Sequence, residues 1–335
     1  MKKILIGIAS LVIILGIVYL AGPTFPKPVL NNQLPEINLQ TNEVESYIRN
    51  KESMLQIKPD NESRIIWAKD TLKTKTAYCL LYLHGFSASW YEGEPVHTDF
   101  ARRFGMNLYI PLLASHGIVT TDGLIDMTPD RLYESAKEAL VVAHKLGEKV
   151  ILMGTSTGGT LSLKLAAEFP DLVDGLFLFS PNIAINDPAA FILSKHWGLQ
   201  IARYVKKGNY RISETKFPEE EQYWICKQRL ESAVYLQQLL EATMTKTTFA
   251  KVNQPVFMGY YYKDEVNQDD VVRVDAALKM FDQLGTPENL KRKEAFSEAN
   301  NHVIGSKLLS GAWQDVEKSS YQFAEEKLGL KPVTP

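Results

Sequence analysis

A serine framed by glycines, Gly154-Thr-Ser156-Thr-Gly158-Gly159, follows the apolar run Val150 to Met153 and precedes the helical stretch Leu161 to Phe169. Small residues two before and two after a serine let a strand turn sharply into a helix without side-chain collisions. The serine is then expected at the apex, strained and with its hydroxyl exposed. The helix that follows directs its first amides toward the same spot, where a developing oxyanion would be stabilised. Gly-x-Ser-x-Gly also arises by chance in glycine-containing loops. Here the strand-then-helix context makes Ser156 the candidate nucleophile.

Serine needs a base, and the base needs an orienting acid. Around a nucleophile on such an elbow the chain order is serine, acid, histidine, the last two on loops after later strands. His84, His97, His116 and His144 precede Ser156, and His196 falls within a long helical connection. His302 remains, in Ala299-Asn-Asn-His302-Val-Ile-Gly305, and is the expected base. The first carboxylate after the apolar run Val256 to Tyr260 is Asp264, ranked as the acid above Glu265, Asp269 and Asp270. Asp269 and Asp270 also suit a helix start at Val271, where carboxylates favour the dipole. For the oxyanion, one amide is expected from Thr157 and the second from Phe86, in Leu83-His84-Gly85-Phe86. Gly85 permits close backbone approach, and His84 is expected to be a structural hydrogen-bonding residue.

The elements that must position these groups alternate. Strands are expected at Arg64 to Trp67, Ala77 to Leu83, Asn107 to Ile110, Val150 to Met153, Gly175 to Phe179, Gln254 to Tyr260 and Arg292 to Phe296. Helices are expected near Asn42 to Leu55, Val96 to Phe104, Pro129 to Leu146, Val271 to Leu284 and Ile304 to Leu328. Thr128 serves as N-cap and Pro129 as first helical residue of the third of these. Continuous apolar strands separated by helices predict a doubly wound, mostly parallel α/β sheet with right-handed crossovers. Residues 182–252 break the rhythm, with helical periodicity and no convincing strand. About seventy residues far exceed a normal connection, so a helical cap over the site is expected there.

The chain has 335 residues, 45% of them hydrophobic and 23% charged, with net charge −2. That balance, without a basic run interleaved with aromatics, argues against nucleic-acid binding. Its two cysteines match neither a zinc site nor a disulfide framework, and Cys79 and Cys226 are expected as packed thiols. No cofactor or metal is called for. After Lys2 and Lys3 the segment Ile4 to Ala21 is almost wholly apolar, and eighteen helical residues span about 27 Å, close to the ~30 Å hydrocarbon core. Tyr19 and Pro23 make poor signal-cleavage positions, so residues 1–21 are expected as a retained signal anchor. The preceding lysines place the rest outside the cytoplasm by the positive-inside bias. Residues 22–41, with four prolines, read as an extended spacer, and 42–335 as one domain.

Together, His84-Gly85-Phe86, Gly154-x-Ser156-x-Gly158, Asp264 and His302 resemble the α/β-hydrolase superfamily, over roughly Ile65 to Leu328. Within it the chain is most similar to the monoacylglycerol lipase, lysophospholipase and proline-type aminopeptidase group. Pro111-x-x-x-x-His116-Gly117 fits that group's loop after its fourth strand, although Ser115 stands where many members have glycine. The resemblance implies a serine hydrolase acting through an acyl-enzyme on a small-molecule or lipid-like carboxylic ester. Its rivals are a peptidase, amidase or acyltransferase on the same triad, and a hydrolase fold kept as a binding module.

Overall fold

The computed structural model describes residues 2–333. Helix α1 (Lys2–Leu20) projects from the domain with its apolar side chains exposed, and among the described residues only its C-terminal end touches the rest of the chain. Residues Lys3–Leu20 form the one helix among the described residues long and apolar enough to cross a membrane. Then come α2 (Val44–Glu52), β1 (Arg64–Ile66), β2 (Thr76–Leu83), α3 (Val96–Arg103), β3 (Asn107–Ile110), α4 (Pro129–Leu146), β4 (Gly147–Thr155), α5 (Thr157–Glu168) and β5 (Gly175–Phe179). An insertion follows: α6 (Gly198–Lys206), β6 (Tyr210–Ile212), α7 (Pro218–Tyr223), β7 (Lys227–Arg229), α8 (Leu230–Thr243) and α9 (Lys246–Lys251). The chain closes with β8 (Val256–Tyr260), α10 (Val274–Asp282), β9 (Lys291–Ala295) and α11 (Trp313–Lys327).

Seven strands form one sheet in the order β1-β3-β2-β4-β5-β8-β9, parallel except where β1 runs against β3. Side chains alternate across a strand, so each inner strand feeds two cores. In β2, Cys79, Leu81 and Leu83 join the core under α4 and α5, while Leu80 and Tyr82 join the one under α3 and α11. In β5, Leu176 and Leu178 divide from Phe177 and Phe179 in the same way. Coverage on both faces is why these strands read as continuous apolar runs instead of alternating ones.

Several expectations need correction. The insertion does contain strands: β6 and β7 pair antiparallel as a hairpin too short to show a period. The last helix starts at Trp313, not near Ile304. Residues 304–312 instead wrap the site end of the sheet, with the Lys307 amide donating to Glu94 O and the Gly311 amide to Ala299 O. Helix α10 starts at Val274 because Val271 and Val272 serve the preceding loop. The proline-containing segment is extended but lies along the domain. Its Val29 amide donates to Asp130 (2.8 Å), and Gln238 and Tyr133 bond to Pro26 O and Asn32. Cys79 and Cys226 are free thiols.

Candidate active site

Strands β2 and β4 pair in parallel with Leu83 opposite Gly154, so the loops leaving their C-terminal ends meet. Ser156 occupies the turn between β4 and α5 with φ 54° and ψ −118°, a conformation that costs a non-glycine residue of order 1–3 kcal/mol. The surroundings hold it there. Its amide donates to Phe179 O (2.9 Å), and its carbonyl accepts from Gly159, Thr160 and Asn182. Glycines are required by crowding. A Cβ on Gly158 would run into the Leu83 carbonyl, and one on Gly154 would lie 2.5 Å from the Gly158 carbonyl carbon. A Cβ on Gly85 would stand 2.6 Å from Glu92 Oε1 and 3.1 Å from Ser156 Cβ, so the β2 loop touches the serine.

Thr157 is the first residue of α5, where an amide has no intrahelical acceptor. Neither its amide nor that of Phe86 donates to a protein group among the described residues. His84 sits beneath, wholly buried. The Leu113 amide donates to its Nε2 (3.2 Å), which leaves Nδ1 to carry the proton and donate to Gly85 O (3.0 Å). Burial and the neighbouring His116 hold its pKa down to about 3, so His84 is a neutral strut for the loop. At Ser115, where many members have glycine, φ is 66°: the chain keeps the glycine-type backbone without the glycine.

The structure brings His302 a different carboxylate from the first one after the strand. Asp264 is exposed, and its Oδ1 accepts from the Val266 and Asn267 amides, closing a turn of its own. That turn reverses the chain, Tyr262 bridging to Gln268, before the strand's exit loop reaches the sheet again. Asp269 is then the carboxylate that faces His302. It is 2% exposed, its Oδ2 accepting from His302 Nδ1 at 2.6 Å and its Oδ1 from the Val271 and Val272 amides. The missed signal is Asp264-x-x-Asn267, an Asx-type turn in which the aspartate serves its own backbone.

Burial opposes charge on the His302 imidazole, but the Asp269 carboxylate outweighs it and holds the pKa above the ordinary histidine value. Burial likewise raises Asp269, and the charge and hydrogen bond of His302, with two backbone amides, bring it below the usual carboxylate range. His302 Nε2 is buried and has no partner among the described residues. A base fixed through Nδ1 and open at Nε2 can take a proton from a nucleophile.

One group escaped the sequence reading: Glu92, buried in a turn with no motif to mark it. Its Oε2 accepts from the Gly85 amide at 2.7 Å and from Tyr82 OH. Burial pushes its carboxyl up to about 7 against the Gly85 bond and the charge of His302. Ser156, His302, Phe86 and Glu92 all line one cavity of about 560 Å³, closed above by Ile192, Leu193, Ile201, Leu230 and Leu236 of the insertion. The hairpin strand β7 is tied to the β2 loop, the Ile225 amide before it donating to Ser87 O. No group of three or more metal-ligating side chains occurs among the described residues.

A family model described as alpha/beta hydrolase fold matches residues 78–287. Among solved structures, one reported as "LipS and LipT, two metagenome-derived lipolytic enzymes" superposes with a TM-score of 0.63 at 16% identity, covering 80% of this chain and 98% of that one. The Paleococcus ferrophilus monoacylglycerol lipase gives 0.58 at 13%, covering 78% and 96%. Est1E from Butyrivibrio proteoclasticus, with ferulic acid bound, gives 0.52 at 15%, covering 80% and 95%. These likenesses are of fold. No curated protein matches the chain by sequence.

Proposed function

Since the chain belongs to the α/β-hydrolase family, we propose that it is a serine hydrolase of carboxylic esters that works through an acyl-enzyme. The observation that carries this reading is the Asp269–His302 hydrogen bond, with its free Nε2 lining the same cavity as the strained Ser156. In the proposed mechanism the Ser156 hydroxyl attacks the ester carbonyl while His302 Nε2 takes its proton. Asp269 holds the imidazole and balances its charge, and the Phe86 and Thr157 amides receive the oxyanion. His302 then returns the proton to the departing alcohol, and water repeats the sequence to release the acid.

The insertion is proposed to act as a cap whose aliphatic lining takes an acyl or alkyl chain out of water. Lipases and esterases among the neighbours of similar fold agree with this choice. Residues 1–21 are proposed to remain as an anchor with the catalytic domain outside the cytoplasm, on the strength of the lysines preceding the span. The test is a p-nitrophenyl ester series. Each methylene that enters the cavity is expected to raise kcat/KM by up to about fourfold until it is full, from ~0.8 kcal/mol per buried CH₂. A flat series, or turnover of aminoacyl amides alone, would contradict the lipid-like substrate.

A further inference from the structure

The insertion's apolar surface continues directly from the end of the N-terminal helix. The Trp197 amide donates to Pro23 O (2.9 Å), its indole Nε1 to Val18 O (3.0 Å), and His196 Nδ1 to Gly22 O (2.8 Å). Tyr19 packs edge-on against His196. Trp197 holds φ 65°, a strained value for a bulky residue, and a Cβ on Gly22 would run into its indole. This is a shaped junction, and it fixes where α6 sits relative to the helix axis. Leu15, Val18 and Tyr19 share a groove with Phe191, Ile192, Ile201 and Tyr204 of the insertion. Leu15 lies five residues before Leu20, so the insertion reaches about 7 Å back along the apolar span. Interfacial helices bury their apolar faces to a depth of about 5–10 Å, which is the same layer.

The composition of that face agrees. Tyr204 is 86% exposed, Val205 65%, Phe191 58% and Ile201 44%, and three of the four line the groove shared with α1. Lys206 and Lys207 end α6 and Arg211 follows in β6, and none of the three forms an ion pair among the described residues, although Lys206 and Arg211 line the Ser156 cavity and not this groove. Lys195 and Arg203 are paired with Glu241 and Glu231. Ile192 and Ile201 line both this groove and the cavity that holds Ser156. With a span on one side, an apolar face at interfacial depth and unpaired lysines at the end of α6, the occupant that fits is lipid with anionic headgroups.

We propose that α6 and the Phe191 turn rest in the bilayer interface at the C-terminal end of α1, and that the Ser156 cavity draws its ester from that layer. The proposal rests on the anchor and serine-hydrolase readings above. It is tested with the full chain in phosphatidylcholine–phosphatidylglycerol vesicles, in a Cys226→Ser background carrying one fluorophore at Tyr204→Cys. A control label is placed at Glu288→Cys, whose side chain is 89% exposed. Nitroxides on shallow acyl carbons should quench the label at 204 and spare the one at 288. A label at 204 that stays in water, or one shielded from water but untouched by lipid nitroxides as against a second copy of the chain, would overturn the proposal. Turnover gives the second arm, using Phe191→Asp with Tyr204→Asp, two residues outside the cavity. Each aromatic side chain withdrawn from the layer is worth roughly tenfold in docking, so hydrolysis of a vesicle-resident long-chain ester should fall about tenfold or more while p-nitrophenyl acetate stays within about twofold. Equal loss on both esters would contradict delivery from the bilayer. Lipid quenching at 204 with neither ester cleaved by the unaltered chain would leave the docking standing and remove the hydrolase reading instead.

Discussion

Strands β4 and β5 bury every side chain from Val150 and from Gly175 onward, and their loops reach the site under backbone contacts that exclude a single Cβ. The insertion between β5 and β8 is made otherwise. Its own cluster holds three buried apolar residues, Leu199, Leu230 and Val234, while Leu239 and Phe249 pack into the main core. Its polar ties include Arg229 to Asp122 (2.9 Å) and Arg203 to Glu231 (2.7 Å), partly exposed pairs of the kind worth about 1 kcal/mol or less. The groups proposed to react thus stand on the densest part of the molecule, and the groups proposed to meet the substrate's chain stand on the thinnest. With little buried in α6, β6 and α7, that part of the insertion sits toward the low end of local stability, while α8 is largely buried.

This contrast can be broken in order of effect. Asp269→Asn is expected to lower kcat by about 10⁴, by the scale of a serine-protease triad, while Asp264→Asn stays within about tenfold of the unaltered chain. Steady-state kinetics decide it, and equal losses would remove the assignment. Two glycines test the packing difference directly. Gly158→Ala drives a methyl into the Leu83 carbonyl and should cost about 3 kcal/mol or more, whereas Gly208→Ala, with open space around it in the insertion, should stay within about 0.5 kcal/mol. Denaturant melts of both variants give the comparison. Leu230→Ala should cost about 2 kcal/mol, confined to the insertion. Hydrogen exchange would then speed up over 190–243 and leave β2 and β4 unchanged; uniform acceleration would show the two regions to be one cooperative unit.

The smallest effect is a displacement in pH. A general base works neutral, so kcat/KM should rise as pH passes upward through the His302 pKa, which Asp269 holds above the ordinary value. Removing the carboxylate leaves burial opposed only by the weaker pull of Glu92 and Asp270, so the residual activity of Asp269→Asn should carry its acid limb to lower pH. A limb that moves the other way would contradict the pairing.

The contrast also explains what could be read from the chain. Inner strands announce themselves because both faces are covered, and the elbow does so because crowding leaves only glycine at 154 and 158. His302, the proposed base, is picked out by topology alone. Its carboxylate partner is not, since distance along the chain from β8 says nothing about the reversal that Asp264 and Asn267 close before Asp269 arrives. Glu92 is illegible for a related reason: its shortest hydrogen bond is from the Gly85 amide, and a backbone donor leaves no mark in the sequence. The hairpin β6–β7 escapes because three-residue strands have no period to detect, and the contact of residues 26–33 with the domain is made through backbone groups, scattered polar side chains and the single apolar Leu30.

The central claim, that Ser156 is a nucleophile activated by His302, meets its most direct test in a fluorophosphonate probe on the folded full chain, with peptide mapping of the adduct. One adduct is expected, on Ser156, lost in Ser156→Ala and strongly slowed in His302→Ala. A folded chain that stays unlabelled, or that carries the adduct on another serine, would contradict the account.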